Sequence, residues 1–73
     1  MPKLPVLSGR EVIRALERIG FSQSRQRGSH VTLRRETKVC VVPLHKELAI
    51  GTLTGILRQA DVASDDFAQA LKH

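Results

Sequence analysis

The stretch from Gly20 to Pro43 constrains the fold most, because alternation and turn residues divide it into three short strands. In its middle part, Val31 and Leu33 alternate with polar residues at the period of a half-buried strand. A polar edge strand precedes this part. A β-branched run follows it and ends at Pro43, because proline cannot donate to a ladder. The three predicted strands are residues 21–26, 30–34 and 38–42.

Short turns connect these strands. Arg27-Gly28-Ser29 is predicted to form a hairpin turn in which Gly28 can adopt a positive φ, and residues 35–37 form the next turn. Connections this short pair the strands antiparallel. If the two apolar residues of the middle strand face the core, alternation sends its other residues to the opposite, open face of the sheet. Those residues are His30, Thr32 and Arg34.

A helix precedes the sheet. Ser8 and Glu11 have the spacing of a capping box, in which the hydroxyl and the carboxylate each accept a hydrogen bond from an orphan backbone N–H. Apolar residues recur at helical spacing after them, and Gly20 can close the helix in the left-handed conformation. We predict this helix over residues 9–19.

Two helices follow the sheet after a connection at residues 44–50. Gly51-Thr52 is predicted to cap the second helix, and Ser64 to cap a short third one. A mid-helix Gly55 costs about 1 kcal/mol relative to alanine, and a close helix crossing would explain it. The predicted inward-facing residues are Leu53, Ile56, Leu57 and Ala60 on the second helix, and Phe67 and Leu71 on the third.

These elements predict an α+β fold of order α-β-β-β-α with a small helical extension. A three-stranded antiparallel sheet would be packed by helices on one face and open on the other. The whole chain, residues 1–73, forms a single domain, because so short a chain buries only about 60% of its unfolded surface and holds one thin core. A shallow surface site is therefore expected rather than an enclosed cofactor pocket.

The charge is uneven along the chain. Residues 1–46 carry ten Lys or Arg and three Glu, a net charge of +7, whereas residues 47–73 have a net charge of −2. Such a basic region favours a polyanionic partner. Arg10, Arg14 and Arg18 form one row on the first helix at steps of four. This row could contact phosphates or an acidic protein, or simply be a solvated helix face.

Cysteine usage and hydropathy exclude several classes of protein. Cys40 is the one cysteine, so no intramolecular disulfide forms, and its β-branched strand makes it core filling. The sequence has neither a signal peptide nor an apolar membrane span, which predicts a cytoplasmic protein. It also has no CxxC, no metal-ligand spacing and no glycine-rich phosphate loop, so neither a metal nor a cofactor is expected.

His30 is the candidate for chemistry, because an imidazole with a pKa of about 6.5 can both take and give protons near neutral pH. RNA cleavage requires little more, since the 2′-hydroxyl of RNA can attack the adjacent phosphodiester. Alternatively, His30 is an ordinary surface histidine. His45 could be a second acid or base if its loop folds back. Candidate groups for binding phosphate and stabilising charge are Arg25, Arg27, Arg34, Lys38 and the backbone N–H groups of Gly28 and Ser29.

Three motifs in this order resemble one known family. The first, Arg25 to His30, resembles the RxxGSH signature of HicA-type (YcfA-like) toxins. The second, Val42-Pro43-Leu44-His45, resembles the VPxH segment of the family, and the third, residues 51–60, its GTLxxILRQA helix. The likeness runs from about Ser8 to Leu71. It departs at Asp61, where family members commonly have glycine after the helix.

The resemblance implies a fold similar to a double-stranded RNA-binding domain. It also implies an mRNA interferase that cleaves RNA without a metal, with His30 as the single catalytic histidine. A HicB-type antitoxin would cover the His30 face, and the toxin would be a monomer when free. Two other functions stay open from the residues alone. These are a non-catalytic module that binds duplex RNA and a protein whose basic face binds only an acidic protein.

Overall fold

The computed structural model describes residues 4–72. The strands form one antiparallel sheet in the order β1-β2-β3, and helices precede and follow it. The predicted α+β class and the α-β-β-β-α order are confirmed. The elements are α1 (Gly9–Ile19), β1 (Ser22–Arg27), β2 (His30–Arg35), β3 (Lys38–Pro43), α2 (Ile50–Ala60) and α3 (Ser64–Leu71).

Local signals set both ends of α1, as predicted. The Glu11 N–H donates to Ser8 Oγ at 3.2 Å, and the Ser8 N–H donates to Glu11 Oε1 at 3.0 Å. This backbone hydrogen bond holds the pKa of Glu11 below its usual value. At the other end Gly20 takes a φ of 115°, and its N–H donates to the Glu17 carbonyl oxygen at 3.0 Å.

The predicted caps of the other two helices are wrong. The cap of α2 is Ala49 and that of α3 is Ala63, and neither makes a side-chain capping hydrogen bond. Both alanines have the extended backbone that an N-cap needs, with ψ near 147° and 146°. Gly51-Thr52 and Ser64 therefore already lie inside their helices. Tertiary packing selects these starts, because buried Leu48 donates its N–H to the Leu7 carbonyl oxygen at 2.7 Å just before α2.

The end of α2 does have a cap, although glycine is absent. Asp61 takes the left-handed conformation, with φ 57° and ψ 43°, and its N–H donates to the Arg58 carbonyl oxygen at 3.2 Å. Aspartate tolerates this region better than most residues. The departure from the family pattern at Asp61 therefore leaves the helix end intact.

The core lies between one face of the sheet and the helices. Cys40 is buried in it, and burial raises the pKa of its thiol to about 11, as expected of core filling rather than a nucleophile. None of the helices within residues 4–72 is long and apolar enough to cross a bilayer. The largest fully buried side chains are Val12 and Leu16 of α1, Val31 and Leu33 of β2, Val42 of β3, Leu53 of α2 and Phe67 of α3.

Gly55 has no packing role in the described part of the chain, which excludes the close crossing that could have explained it. A Cβ added there meets nothing within 4 Å. We expect Gly55→Ala to stabilise the protein by about 1 kcal/mol, because alanine loses less backbone entropy in a helix. In thermal unfolding this corresponds to a rise in Tm of about 4–8 °C. Gly20→Ala, at a φ of 115°, should instead lower Tm, and a lower Tm for Gly55→Ala would contradict the prediction.

Candidate active site

His30 is the first residue of β2 and is exposed. Two residues of the same strand, Val31 and Leu33, are 2% and 0% exposed and face the helices. Strand alternation therefore directs His30, Thr32 and Arg34 to the other side of the sheet. None of the helices within residues 4–72 covers that side, so the imidazole is accessible to a large ligand.

Two arginines of β1 join this face. Arg27 is the register partner of His30, and Arg25 is the partner of Thr32. Partners in an antiparallel pair share a face of the sheet, with Cβ atoms about 5 Å apart. Arg25, Arg27 and Arg34 thus share one surface with His30, with Arg27 directly beside it, and we call this surface the basic face. A shallow depression on it is lined by Ser24, Arg25, Thr32 and Arg34.

A β-bulge at Ser24 interrupts the pairing of β1 with β2 beyond Arg25. The register passes from Gln23 opposite Leu33 to Arg25 opposite Thr32, so Ser24 is the extra residue. The two-residue turn keeps Arg27 opposite His30, so a regular strand would place Ser24 opposite Leu33 and Gln23 opposite Arg34, on the basic face. The sequence did not predict the bulge, although it did show polar residues on both faces of this strand.

The turn between β1 and β2 brings backbone donors beside the imidazole. Gly28 has a φ of 59° and Ser29 does not have a positive φ, the pattern of a type II′ turn. Gln26 Nε2 donates to the Gly28 carbonyl oxygen at 3.1 Å. Within residues 4–72, neither the Gly28 N–H nor the Ser29 N–H donates to a backbone carbonyl. Both N–H groups can therefore serve an anionic ligand.

The segment that carries His45 folds back against this turn. The Leu44 N–H donates to the Ser29 carbonyl oxygen at 2.7 Å, and the Gly9 N–H donates to the His45 carbonyl oxygen at 2.9 Å. His45 is exposed and lies at the same end of the sheet as His30. The sequence allowed His45 a role only if its loop folds back. These two hydrogen bonds show that the loop does fold back.

Lys38 lies apart from the other candidates. Its register partner is Arg35, which belongs to the opposite face of β2 from His30. Lys38 Nζ is 3.5 Å from Asp61 Oδ2, so its charge is paired at the far end of the sheet. The structure therefore brings Arg25, Arg27, Arg34, Gly28 and Ser29 to His30 but does not bring Lys38.

The basic face can bind an anion and exchange a proton with it, since guanidinium and backbone N–H groups bind phosphate oxygens and an imidazole transfers protons. Within the described residues, no three His, Cys, Asp or Glu side chains group closely enough to hold a metal ion. The fold and this face thus define a class, a small α+β protein that presents one histidine among arginines on an open sheet.

Comparison with known protein families identifies the family within this class. Residues 9–62 match the model of the family described as the HicA toxin of bacterial toxin–antitoxin systems. The chain belongs to the HicA toxin family. Membership gives it the role of the toxin in such a system and implies an antitoxin protein as its partner. None of the curated proteins compared with the chain matches it.

Proposed function

We propose that the chain is an endoribonuclease toxin that cleaves single-stranded mRNA with His30 and so inhibits translation. The exposed imidazole shares its sheet face with Arg25, Arg27 and Arg34, and this arrangement carries the proposal. Every group that the reaction uses is a side chain or backbone N–H of this protein or an atom of the RNA.

The proposed reaction is an internal transesterification. The 2′-oxygen of RNA attacks the adjacent phosphorus while His30 accepts the 2′-hydroxyl proton. The bond from phosphorus to the 5′-oxygen breaks, and the 5′-oxygen gains a proton. The products are a 2′,3′-cyclic phosphate and a 5′-hydroxyl. Arg27 and the N–H groups of Gly28 and Ser29 would stabilise the charge that develops on the phosphate oxygens, whereas Arg34, four residues or about 13 Å along β2 from His30, would bind a more distant phosphate.

His45 is the proposed second acid or base, because its loop lies against the Ser29 turn. Arg25 would bind a phosphate next to the scissile one, since it lies beside Thr32, one alternation along the sheet from His30. Lys38 would contact only RNA that extends past the far end of the sheet, where its partner Asp61 lies.

The antitoxin partner is proposed to be of the HicB type and to inhibit by covering the basic face. An acidic surface on the antitoxin would complement the three arginines and exclude RNA at the same time. The free toxin would be a monomer acting in the cytoplasm, where mRNA is translated.

A cleavage assay tests the proposed function. Purified protein is incubated with an end-labelled unstructured RNA and with DNA of the same sequence, with and without excess EDTA. We expect cleavage of RNA in both conditions, products ending in 2′,3′-cyclic phosphate and 5′-hydroxyl, and intact DNA. Cleavage abolished by EDTA would contradict the proposed mechanism. Tight RNA binding without cleavage would instead indicate a non-catalytic RNA-binding module.

A further inference from the structure

A cleft separates α1 from β1 on the helix side of the sheet, opposite the basic face. We call it the α1–β1 cleft. Its lining residues are Arg10, Ile13, Arg14 and Glu17 of α1, Gln23 and Gln26 of β1, Val31 of β2, and Leu44. The cleft has a volume of about 160 Å³.

The cleft exists because β1 extends beyond the helices. All six residues of β1 are exposed, although β2 and β3 are covered on one face. The bulge at Ser24 also places Gln23 and Gln26 on the same side, opposite the buried Leu33 and Val31. Without it, these two glutamines, three residues apart, would point to opposite faces.

The side chains of the two arginines of the cleft have no hydrogen-bond or ion-pair partner among residues 4–72, whereas other arginines of the fold do. Arg18 donates to the Ala70 carbonyl oxygen at 2.9 Å, and Arg35 donates to the Ile19 carbonyl oxygen at 3.0 Å. In the same part of the chain Arg10 and Arg14 make neither a hydrogen bond nor an ion pair. The row of three arginines predicted on α1 thus divides into one structural arginine and two free ones.

The cleft begins at the end of the sheet that carries His30. Gly9, next to Arg10, donates to the His45 carbonyl oxygen, and Leu44 donates to the Ser29 carbonyl oxygen. Arg14 lies one turn further along α1, about 6 Å along the helix axis. A strand leaving the basic face can therefore turn round the Gly28 end of β1 and meet the two guanidinium groups in succession.

We propose that the α1–β1 cleft binds the backbone phosphates of single-stranded RNA outside the cleavage site, with Arg10 and Arg14 as the phosphate-binding residues. This inference rests on the proposed function, and it extends the RNA path from the basic face to the other side of β1. Gln23 and Gln26 form the other wall of the cleft, and their amide nitrogens already donate to Glu17 Oε2 at 3.4 Å and to the Gly28 carbonyl oxygen at 3.1 Å.

The composition of the cleft favours RNA over a protein. β1 has the sequence SQSRQR, so neither of its faces offers apolar area for the apolar core of a protein interface. The exposed apolar residues of the sheet, Val39 and Val41, lie on β3 at the opposite edge. Arg10 and Arg14 outnumber Glu17 among the charged lining residues, so the cleft keeps a net positive charge that suits phosphates.

Salt-dependent binding tests this proposal. The probe is a long, unstructured single-stranded RNA. The protein carries His30→Ala so that the RNA is not cleaved during the measurement. We expect Arg10→Gln combined with Arg14→Gln to weaken binding roughly tenfold. The slope of log K against log salt should fall in magnitude by about 0.7 for each lost phosphate contact. Arg58→Gln, on the exposed face of α2, is the matched control and should leave the slope unchanged.

A second measurement separates the cleft from the cleavage site. With His30 intact, the double variant should lose activity on the long RNA but keep wild-type activity on a dinucleotide that spans only the scissile phosphate. Equal slopes for the double variant and the Arg58→Gln control would overturn the proposal, as would loss of antitoxin binding with unchanged RNA binding. RNA binding that depends on the cleft, in a protein that cleaves nothing, would refute the proposed function and leave this inference standing.

Discussion

Replacing His30 with alanine is expected to lower the rate of RNA cleavage about 10²- to 10⁴-fold, the usual contribution of a positioned acid or base. The loss should appear in kcat, because the role proposed for the imidazole is to accept the 2′-hydroxyl proton in the transition state rather than to bind the ground state. RNA affinity should change little, since the proposed phosphate contacts come from Arg25, Arg27 and Arg34.

The same substitution should leave stability within about 0.5 kcal/mol of the wild type. His30 is exposed, and its imidazole makes no side-chain hydrogen bond within residues 4–72. Single-turnover cleavage and thermal unfolding measured on the same preparation check both parts. Cleavage by His30→Ala at the wild-type rate would remove His30 from the mechanism.

His45→Ala is the matched control for this experiment, because it removes an imidazole from the same end of the sheet. If His45 is the second acid or base, its loss lowers the rate as well, and the double variant loses less than the product of the two single effects. If His45 is only a loop residue, its variant cleaves RNA like the wild type, and the role proposed for His45 is wrong.

The second large effect is structural. Gly9→Ala is expected to destabilise the protein by about 3 kcal/mol and to lower Tm by roughly 15 °C. A Cβ at Gly9 would overlap the Pro43 carbonyl oxygen and approach Leu44 Cα to 3.0 Å. Both of these are backbone atoms, which have no rotamer through which to relax.

The backbone opposite Gly9 is held from its other side. Pro43 pairs with His30 in the sheet, and the Leu44 N–H donates to the Ser29 carbonyl oxygen at 2.7 Å. The added methyl group must therefore displace α1 and break the hydrogen bond from Gly9 to the His45 carbonyl oxygen. We expect lower cleavage activity even where the variant is folded, because the His45 segment moves with this contact.

Gly51→Ala is the control for Gly9→Ala, since both glycines lie in the first turn of a helix. A Cβ at Gly51 meets nothing within 4 Å, so alanine there should leave stability unchanged or raise it by up to about 1 kcal/mol. Calorimetry or circular dichroism on both variants gives the comparison. Equal Tm values for the two variants would show that the contact at Pro43 does not constrain the fold.

The parts of the fold that the sequence predicted correctly are those with local causes. The Ser8–Glu11 capping box and Gly20 define α1 over Gly9–Ile19, because each contact lies within one turn of the helix. The alternation around Val31 and Leu33, with a glycine in the turn, likewise orients His30 away from the core. The family motifs were equally local, and the family they indicated is the one that residues 9–62 match.

Other features needed the tertiary structure, because their causes lie far apart in the sequence. Packing sets the starts of α2 and α3 at Ala49 and Ala63, overriding the hydroxyl signals nearby. The bulge at Ser24 appears only in the pairing of β1 with β2, and it moves Gln23 to the helix side of the sheet.

The sequence by itself determined the order of the elements, the open face of β2 and the histidine on it, since these follow from periodicity and caps that act over a few residues. Only the tertiary structure decided that Arg25 and Arg27 join that histidine, that Lys38 does not, and that Arg10 and Arg14 line a cleft. Strand pairing and helix placement depend on contacts between separate segments, and the polar sequence of β1 has no apolar alternation from which its facing could be read.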